Sequence, residues 1–273
     1  MIKSPSHRRH WLTGVSAAAL SLAGLGGFSL TVLAPTAAFA AIECGDPATN
    51  GAAPDSFICT GGTYPIGITY PATVGDLTLT LQDDAGGPVI TTTGGVQVIG
   101  AFAGDDITIT RSAVTAGNGD PSLINLTGNG VTASGLVSNV VIDLSDKDAG
   151  DTPIVVTGST NGIVALTTGA AGDTSVTLTN GTVTGKAGNG ITAKSGAAGT
   201  TTVATGGATI IATNTALLGS AYGISATGGA NVVVTGTGPI TATGDQYAIG
   251  VYSDGPGPIL INETGLITAT ANT

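Results

Sequence analysis

The hexapeptide GISATG at positions 223–228 is the clearest copy of a motif that recurs along the sequence. Related copies are GVTASG at 130–135, GIVA at 162–165 and GITAKSG at 190–196, and a looser copy, YAIGVY, stands at 247–252. The glycines that begin the four clear copies lie at 130, 162, 190 and 223, which gives steps of 32, 28 and 33 residues. A repeat of this length is typical of solenoids, in which each unit stacks on the next.

Two further kinds of short run fill the intervals between these copies. SVTLT at 175–179 and NVVVT at 231–235 combine β-branched with polar residues, while ATIIA at 208–212, GPITA at 238–242 and GLITA at 265–269 share a small-x-Ile-x-Ala pattern. Such runs predict half-buried β-strands. Each repeat is therefore expected to supply three short strands joined by Gly, Asn and Asp.

The predicted fold is all-β, a parallel β-helix whose coils stack along one axis. Val, Ile and Leu are expected to face inward, Thr, Ser and Asn outward, and Gly to occupy the corners, where the backbone turns or comes close to its neighbours. Short strands and an irregular period favour this solenoid over an antiparallel sandwich, which has about seven strands in roughly 100 residues. A sandwich or an irregular β-roll remains the structural alternative.

Composition agrees with a β-rich chain and excludes two kinds of partner. Gly accounts for 45 of 273 residues, whereas charged residues make up 9%. The formal net charge is −10, and the bases beyond residue 40 are Arg111, Lys147, Lys186 and Lys194. Four scattered bases cannot neutralise a phosphate backbone. Nucleic acid and anionic membrane surfaces are therefore excluded as expected partners.

The first 40 residues are predicted to be a signal-peptide helix. Lys3, Arg8 and Arg9 precede an apolar stretch at 11–33, and AFA at 38–40 is a small-residue site that predicts cleavage between Ala40 and Ala41. A transmembrane anchor is the alternative, since the stretch approaches spanning length. The sequence leaves Sec and Tat export undecided, because the arginine pair only loosely matches a twin-arginine signal.

The mature chain is expected to be one solenoid with an N-terminal cap. Residues 41–75 form the predicted cap, which holds the only cysteines, Cys44 and Cys59. In an oxidising compartment such a close pair predicts a disulfide, with two free thiols as the alternative. Residues 76–273 form the predicted β-helical repeat region, whose first clean strand is DLTLTL at 76–81.

The signal ending in AFA, the close cysteine pair and Gly/Thr-rich repeats such as GPITATGDQYAIGVY at 238–252 resemble the passenger region of bacterial type V autotransporters. The resemblance implies export in a Gram-negative bacterium, a right-handed β-helix, and a cell-surface, outer-membrane-associated or extracellular location. It also implies a role in adhesion or aggregation. The family carries a C-terminal translocator β-barrel, which is expected as a partner but is not found in this sequence.

Catalytic chemistry finds little support in the sequence. The two histidines, His7 and His10, both lie in the predicted signal, so a Ser-His-Asp mechanism has no base in the mature chain. A carbohydrate-active β-helix enzyme is the alternative function, and it would need acids and a base gathered around Asp106 and Arg111. Strand alternation instead predicts Asp105 and Arg111 on the inward side of DITIT and Asp106 on the outward side.

We therefore expect no enzyme activity, no cofactor and no catalytic residue. The densest acidic run, at 143–151, offers calcium-binding candidates of the hard oxygen type, although its spacing matches no known calcium loop. The candidates are Asp143, Asp146, Asp148 and Asp151. The expected function is structural and adhesive display, with a host or cell-surface protein, a glycan or a second copy of the chain as partner.

Overall fold

The computed structural model describes residue 44 and residues 55–73, 75–82, 90–100, 105–112, 122–136, 138–145 and 153–271. The chain divides into two compact units, 1–38 and 39–273, and every described residue belongs to the second. The predicted signal helix and its cleavage site at Ala40 and Ala41 lie outside the described residues. The described part contains strands and turns without helices, so no helix in it could cross a membrane.

The described residues form 23 strands, which belong in turn to three sheets, named A, B and C here, and neighbouring strands of each sheet are parallel. Sheet A consists of β1 (Asp55–Cys59), β4 (Leu77–Gln82), β7 (Ile107–Ser112), β10 (Val140–Asp143), β13 (Thr174–Thr177), β16 (Thr200–Ala204), β19 (Asn231–Gly236) and β22 (Ile259–Glu263). Sheet B consists of β2 (Gly62–Tyr64), β5 (Ile90–Thr92), β8 (Ser122–Asn125), β11 (Val155–Gly158), β14 (Thr182–Gly185), β17 (Thr209–Asn214), β20 (Ile240–Gly244) and β23 (Ile267–Ala271). Sheet C consists of β3 (Ile68–Thr73), β6 (Val96–Gly100), β9 (Val131–Gly135), β12 (Ile163–Thr167), β15 (Ile191–Lys194), β18 (Ser220–Thr227) and β21 (Tyr247–Asp254).

This architecture confirms the predicted all-β parallel solenoid. Each kind of run found in the sequence occupies one sheet: the Gly-Ile copies form sheet C from β9 to β21, the SVTLT and NVVVT runs form β13 and β19 of sheet A, and the small-x-Ile-x-Ala runs form β17, β20 and β23 of sheet B. Register follows the motif, since Ile163 pairs with Ile191 and Ile191 with Ile224. The sequence pattern therefore encodes which sheet each strand joins.

The core lies inside the three sheets and is built by strict alternation. Along β4 and β7 every second residue is buried, and the residues between them are partly exposed. Asp105, Ile107, Ile109 and Arg111 are all buried, as alternation predicts. Most of the core is Ile, Leu, Val and Ala, whose burial provides the main stabilisation of such a thin interior, about 25 cal/mol for each Å² of apolar surface removed from water.

The solenoid already begins within the segment assigned to the cap. β1, β2 and β3 pair in parallel with β4, β5 and β6, so residues 55–73 complete a coil of their own. Sequence patterns obscure this coil because its strands are short and irregular: β2 has three residues, and the pairing of β3 with β6 shifts register after Tyr70.

Asparagines form a hydrogen-bonded ladder at the corner that leads into sheet C. Asn129 Oδ1 accepts from the side-chain amide of Asn161 at 3.0 Å. Asn161 Oδ1 accepts from the backbone N–H of Asn189 at 2.8 Å, and Asn189 Oδ1 from the backbone N–H of Tyr222 at 3.1 Å. Each side-chain amide oxygen thus accepts from the next coil, and the ladder ends on the backbone N–H of Tyr222, the third residue of β18.

Candidate functional site

A groove of about 630 Å³ crosses four neighbouring coils where the strands of sheet C end. Its walls are the last residues of β12, β15, β18 and β21 and the turns that follow them, at 167–169, 194–197, 227–229 and 254–256. We call it the corner groove. It is larger than the depression of about 320 Å³ that is described below beside Asp106.

Glycine makes the corner groove possible, because the turns beneath it approach one another closely. A Cβ added to Gly196 would lie 2.7 Å from the carbonyl oxygens of Gly169 and Ala171. Contacts that short force the backbone to shift, so any larger residue would push this coil away from its neighbour. The groove floor therefore consists of backbone and small side chains, which leaves main-chain polar groups close to its surface.

Buried hydroxyl groups hold the walls of the corner groove in place. Thr167 Oγ1 donates to the carbonyl of Ser138 at 3.0 Å, and Thr174 Oγ1 donates to the carbonyl of Lys194 at 2.8 Å. Ser195 Oγ donates to the carbonyl of Gly199 at 2.8 Å, and Thr201 Oγ1 to the carbonyl of Thr227 at 2.5 Å. Since these four hydroxyls are buried and satisfied, they fix the strand ends rather than bind a ligand.

One base and one acid lie in the same row along the groove, two coils apart. Lys194 pairs in register with Thr227, and Thr227 with Asp254, so the two charged residues occupy the same outward position two coils apart. At about 4.8 Å for each coil, their backbones are separated by about 10 Å. Both side chains are exposed. The groove therefore carries opposite charges at separate points and no net charge of its own.

A pair of tyrosines lies on the outer face of sheet C, outside the groove lining, and one of them stands two residues before the groove residue Asp254. The rings of Tyr222 and Tyr252 have centroids 5.4 Å apart and planes tilted by 52°. Tyr252 is 38% exposed and precedes Asp254 by two residues on the same face of β21. The negative charge of Asp254 raises the pKa of Tyr252, and burial, a hydrogen bond to Asp254 and the neighbouring Tyr222 add to the effect.

Of the four calcium candidates, Asp143 lies within the described residues. Asp143 Oδ1 accepts hydrogen bonds from the backbone N–H of Ser145 at 3.1 Å and from its hydroxyl at 2.5 Å, which makes a local turn. Asp146, Asp148 and Asp151 lie outside the described residues. Across the part of the chain that the structure describes, no three His, Cys, Asp or Glu side chains are close enough to hold a metal ion.

Asp106 and Arg111 lie on opposite sides of the wall, as alternation predicts. Arg111 is 2% exposed and occupies an inward column with Leu81, whereas Asp106 faces outward. Asp106 Oδ1 accepts from the backbone N–H of Asn139 at 2.8 Å, and Asp76 Oδ1 accepts from that of Asp106 at the same distance. The depression of about 320 Å³ beside Asp106 is lined by Asn139 and Asp173 and does not include Arg111.

The predicted disulfide is confirmed. Cys44 and Cys59 are bonded, with Cα atoms 5.0 Å apart, and both side chains pack with the first coil of the core. Cys59 itself is buried at the end of β1.

Sequence reasoning missed the corner groove and its tyrosine pair. A signal was present, because the register aligns Gly250 with Gly223 and makes GVYSDG at 250–255 the true fifth copy of the motif. Among the aligned copies, Lys194 and Asp254 are the charged residues and Tyr252 is the aromatic one. The looser copy recognised in the sequence, at 247–252, is displaced by three residues from this register, which obscures the alignment.

Comparison with known proteins gives no match: no family model, no curated protein and no solved structure is similar to this chain.

Proposed function

We propose that this chain is an exported, passenger-like β-solenoid that displays an adhesive surface at the cell surface or outside the cell and performs no catalysis. The observation that carries the proposal is the regularity of the outer faces. In sheet A, Thr78 and Thr108 occupy one outward column, which continues past the partly exposed Val141 to Ser175 and Thr202. Such columns of hydroxyl groups suit repeated contacts with a partner surface.

The disulfide supports export, because structural disulfides form and persist in oxidising compartments. A right-handed coil sense belongs to the same proposal, since crossovers between parallel strands are right-handed in about 98% of cases. The predicted signal peptide at 1–40 and an outer-membrane translocator complete it. The enzymatic alternative has no observation in its favour among the described residues, where Arg111 and Asp106 face opposite sides of the wall.

Expression of the full chain in a Gram-negative host tests export and processing. We expect a product that begins at Ala41, is recovered outside the cytoplasm and contains the Cys44–Cys59 disulfide. An A38K/A40K variant is the matched control, since charged residues at the small-residue site should leave the chain unprocessed. Full-length chain that stays in the cytoplasm without cleavage would overturn the proposal.

Adhesion is tested separately with beads that carry the purified protein. Beads coated with folded protein should bind bacterial or host cells, whereas beads coated with reduced and heat-unfolded protein should not. Equal binding by both preparations would contradict an adhesive role for the folded surface.

A further inference from the structure

We infer that the corner groove binds a neutral oligosaccharide, with the tyrosine pair as its stacking platform. The inference rests on the proposed adhesive function and names the site and the ligand class through which it would act. Four observations carry it: the size and direction of the groove, its polar lining, the tyrosine pair and its balance of charge.

Size and direction fit a chain of sugar rings. A volume of about 630 Å³ falls within the usual range of ligand sites, about 300–1,000 Å³. The groove runs across the coils, so its walls repeat at each coil with a spacing of about 4.8 Å. Successive rings of an oligosaccharide laid along the groove would therefore meet wall residues of successive coils.

The lining offers hydrogen-bonding groups that match sugar hydroxyls. Thr168 and Thr227 contribute partly or fully exposed hydroxyl groups, and the turns at 196–197 and 228–229 bring backbone groups to the floor. Lys194 supplies donors and Asp254 supplies acceptors. A sugar hydroxyl both donates and accepts, so a row of them can satisfy this mixture, whereas a purely apolar ligand would leave it unpaired.

The tyrosine pair offers an apolar surface next to the Asp254 end of the groove. Pyranose rings present a face of C–H groups that packs flat against an aromatic ring, and tyrosine combines a large apolar surface with a polar tip. The ring of Tyr252 lies against that of Tyr222, which reduces the side-chain freedom that is lost when a ligand binds.

Charge decides between neutral and acidic glycans. The chain has a net charge of −10, and at the groove Lys194 is offset by Asp254 in the same outward row. A polyanionic glycan would be attracted by Lys194 but repelled by Asp254 and by the net negative charge of the protein. A neutral oligosaccharide meets no such repulsion and accepts charge-assisted hydrogen bonds at both ends of the row.

Calorimetric titration of the purified protein with cellohexaose, maltohexaose and mannohexaose tests the inference, and hexagalacturonate serves as the anionic comparison. We expect at least one neutral hexaose to bind more tightly than hexagalacturonate. Tyr252→Ala should weaken that binding about tenfold, and Asp254→Ala by a similar factor.

Tyr247→Ala is the matched control. Tyr247 is 56% exposed and is the first residue of the same strand, at the opposite end of β21 from the groove. Its removal should change the affinity by less than about twofold. Circular dichroism establishes that each variant is folded, and if Tyr252→Ala is not, Lys194→Gln on the exposed end of β15 replaces it, with an expected loss of about fivefold.

The inference is overturned if none of the neutral hexaoses binds, if hexagalacturonate binds more tightly, or if the groove variants bind like the wild type. These results are separable from the proposed function. A chain that is exported and adheres to cells without binding any hexaose refutes the oligosaccharide site alone. A purified chain that binds a hexaose but stays unprocessed in the cytoplasm refutes the exported role and leaves the site standing.

Discussion

Among the described residues, Tyr70 is the largest side chain that is fully buried in the core, and it stacks on Phe57 with ring centroids 5.1 Å apart. Its hydroxyl has no hydrogen-bond partner among the described residues. Burial, with a smaller effect of Tyr64, raises the pKa of Tyr70 from 10.0 to about 12. The ring therefore stabilises the first coil, whereas its hydroxyl has lost hydration without compensation.

Replacing Tyr70 with Phe should keep the stack on Phe57 and leave stability at pH 7 unchanged or raised by up to about 1 kcal/mol. In the wild type, the unfolded tyrosine ionises from pH 10 and the folded one only near pH 12, so the stability present below pH 10 is lost as the pH rises through this window. Tyr70→Phe should show a smaller loss in urea unfolding between pH 9 and 12. Identical pH profiles for the two proteins would contradict this account.

Glu263 points inward from the last sheet A strand and lies over Gly236. Burial raises the pKa of Glu263 above 4.5, and the neighbouring Thr205 hydroxyl lowers it by a smaller amount.

Glu263→Gln should therefore raise Tm at pH 7. A carboxyl whose pKa is raised on folding contributes most stability below its unfolded pKa, and that contribution is lost as the pH rises through the folded pKa. The difference in Tm between variant and wild type should shrink at pH 4, where Glu263 is largely protonated in both the folded and the unfolded state. A constant difference from pH 4 to pH 7 would assign the effect to packing instead.

At the scale of the element, the glycine that begins each sheet C copy is a close-packing residue rather than a flexible one. A Cβ on Gly190 would overlap Cγ2 of Ile210 and lie 2.6 Å from the carbonyl oxygen of Gly223. The same relation to a β-branched core residue recurs at Gly162 and Val183 and at Gly223 and Ile240. The glycine that begins the motif therefore leaves room for the β-branched core residues of sheet B.

Gly190→Ala should destabilise the protein by about 1–3 kcal/mol, because the added methyl group overpacks a corner made of backbone. Gly207→Ala is the matched control, since the nearest atom to an added Cβ there is 3.5 Å away. Urea unfolding should show a change within about 0.5 kcal/mol for the control. Equal effects at the two sites would show that loss of glycine, and not overpacking, determines the cost.

Sequence patterns predict the elements well and the site poorly, for one physical reason. Inward or outward orientation is a local property of alternation, so the sides taken by Asp105, Asp106 and Arg111 could be assigned from their own strand. The corner groove instead depends on which coils stack. Lys194 and Asp254 are 254 − 194 = 60 residues apart, and only the register of three strands brings them into one row.

At the scale of the molecule, the disulfide ties residue 44 to the first coil across a separation of 15 residues. Closing a loop of this length contributes about 3 kcal/mol in the chain-entropy model. Reduction with dithiothreitol should therefore lower the stability of the first coil, seen as faster amide hydrogen exchange in β1 than in β16. A C44S/C59S variant should behave like the reduced protein and show no further response to dithiothreitol, and an unchanged exchange rate on reduction would contradict the prediction.

The parallel sheets also determine how the molecule responds to pulling. The hydrogen bonds that join successive coils run along the solenoid axis, so tension between its two ends loads one coil interface at a time instead of shearing many bonds together. The glycines at 162, 190 and 223 mark coils of 28 and 33 residues, each of which would release roughly 100 Å of chain when it peels away. A protein of this design lengthens in steps under load, so that a sudden force unfolds successive coils one after another instead of the whole molecule at once.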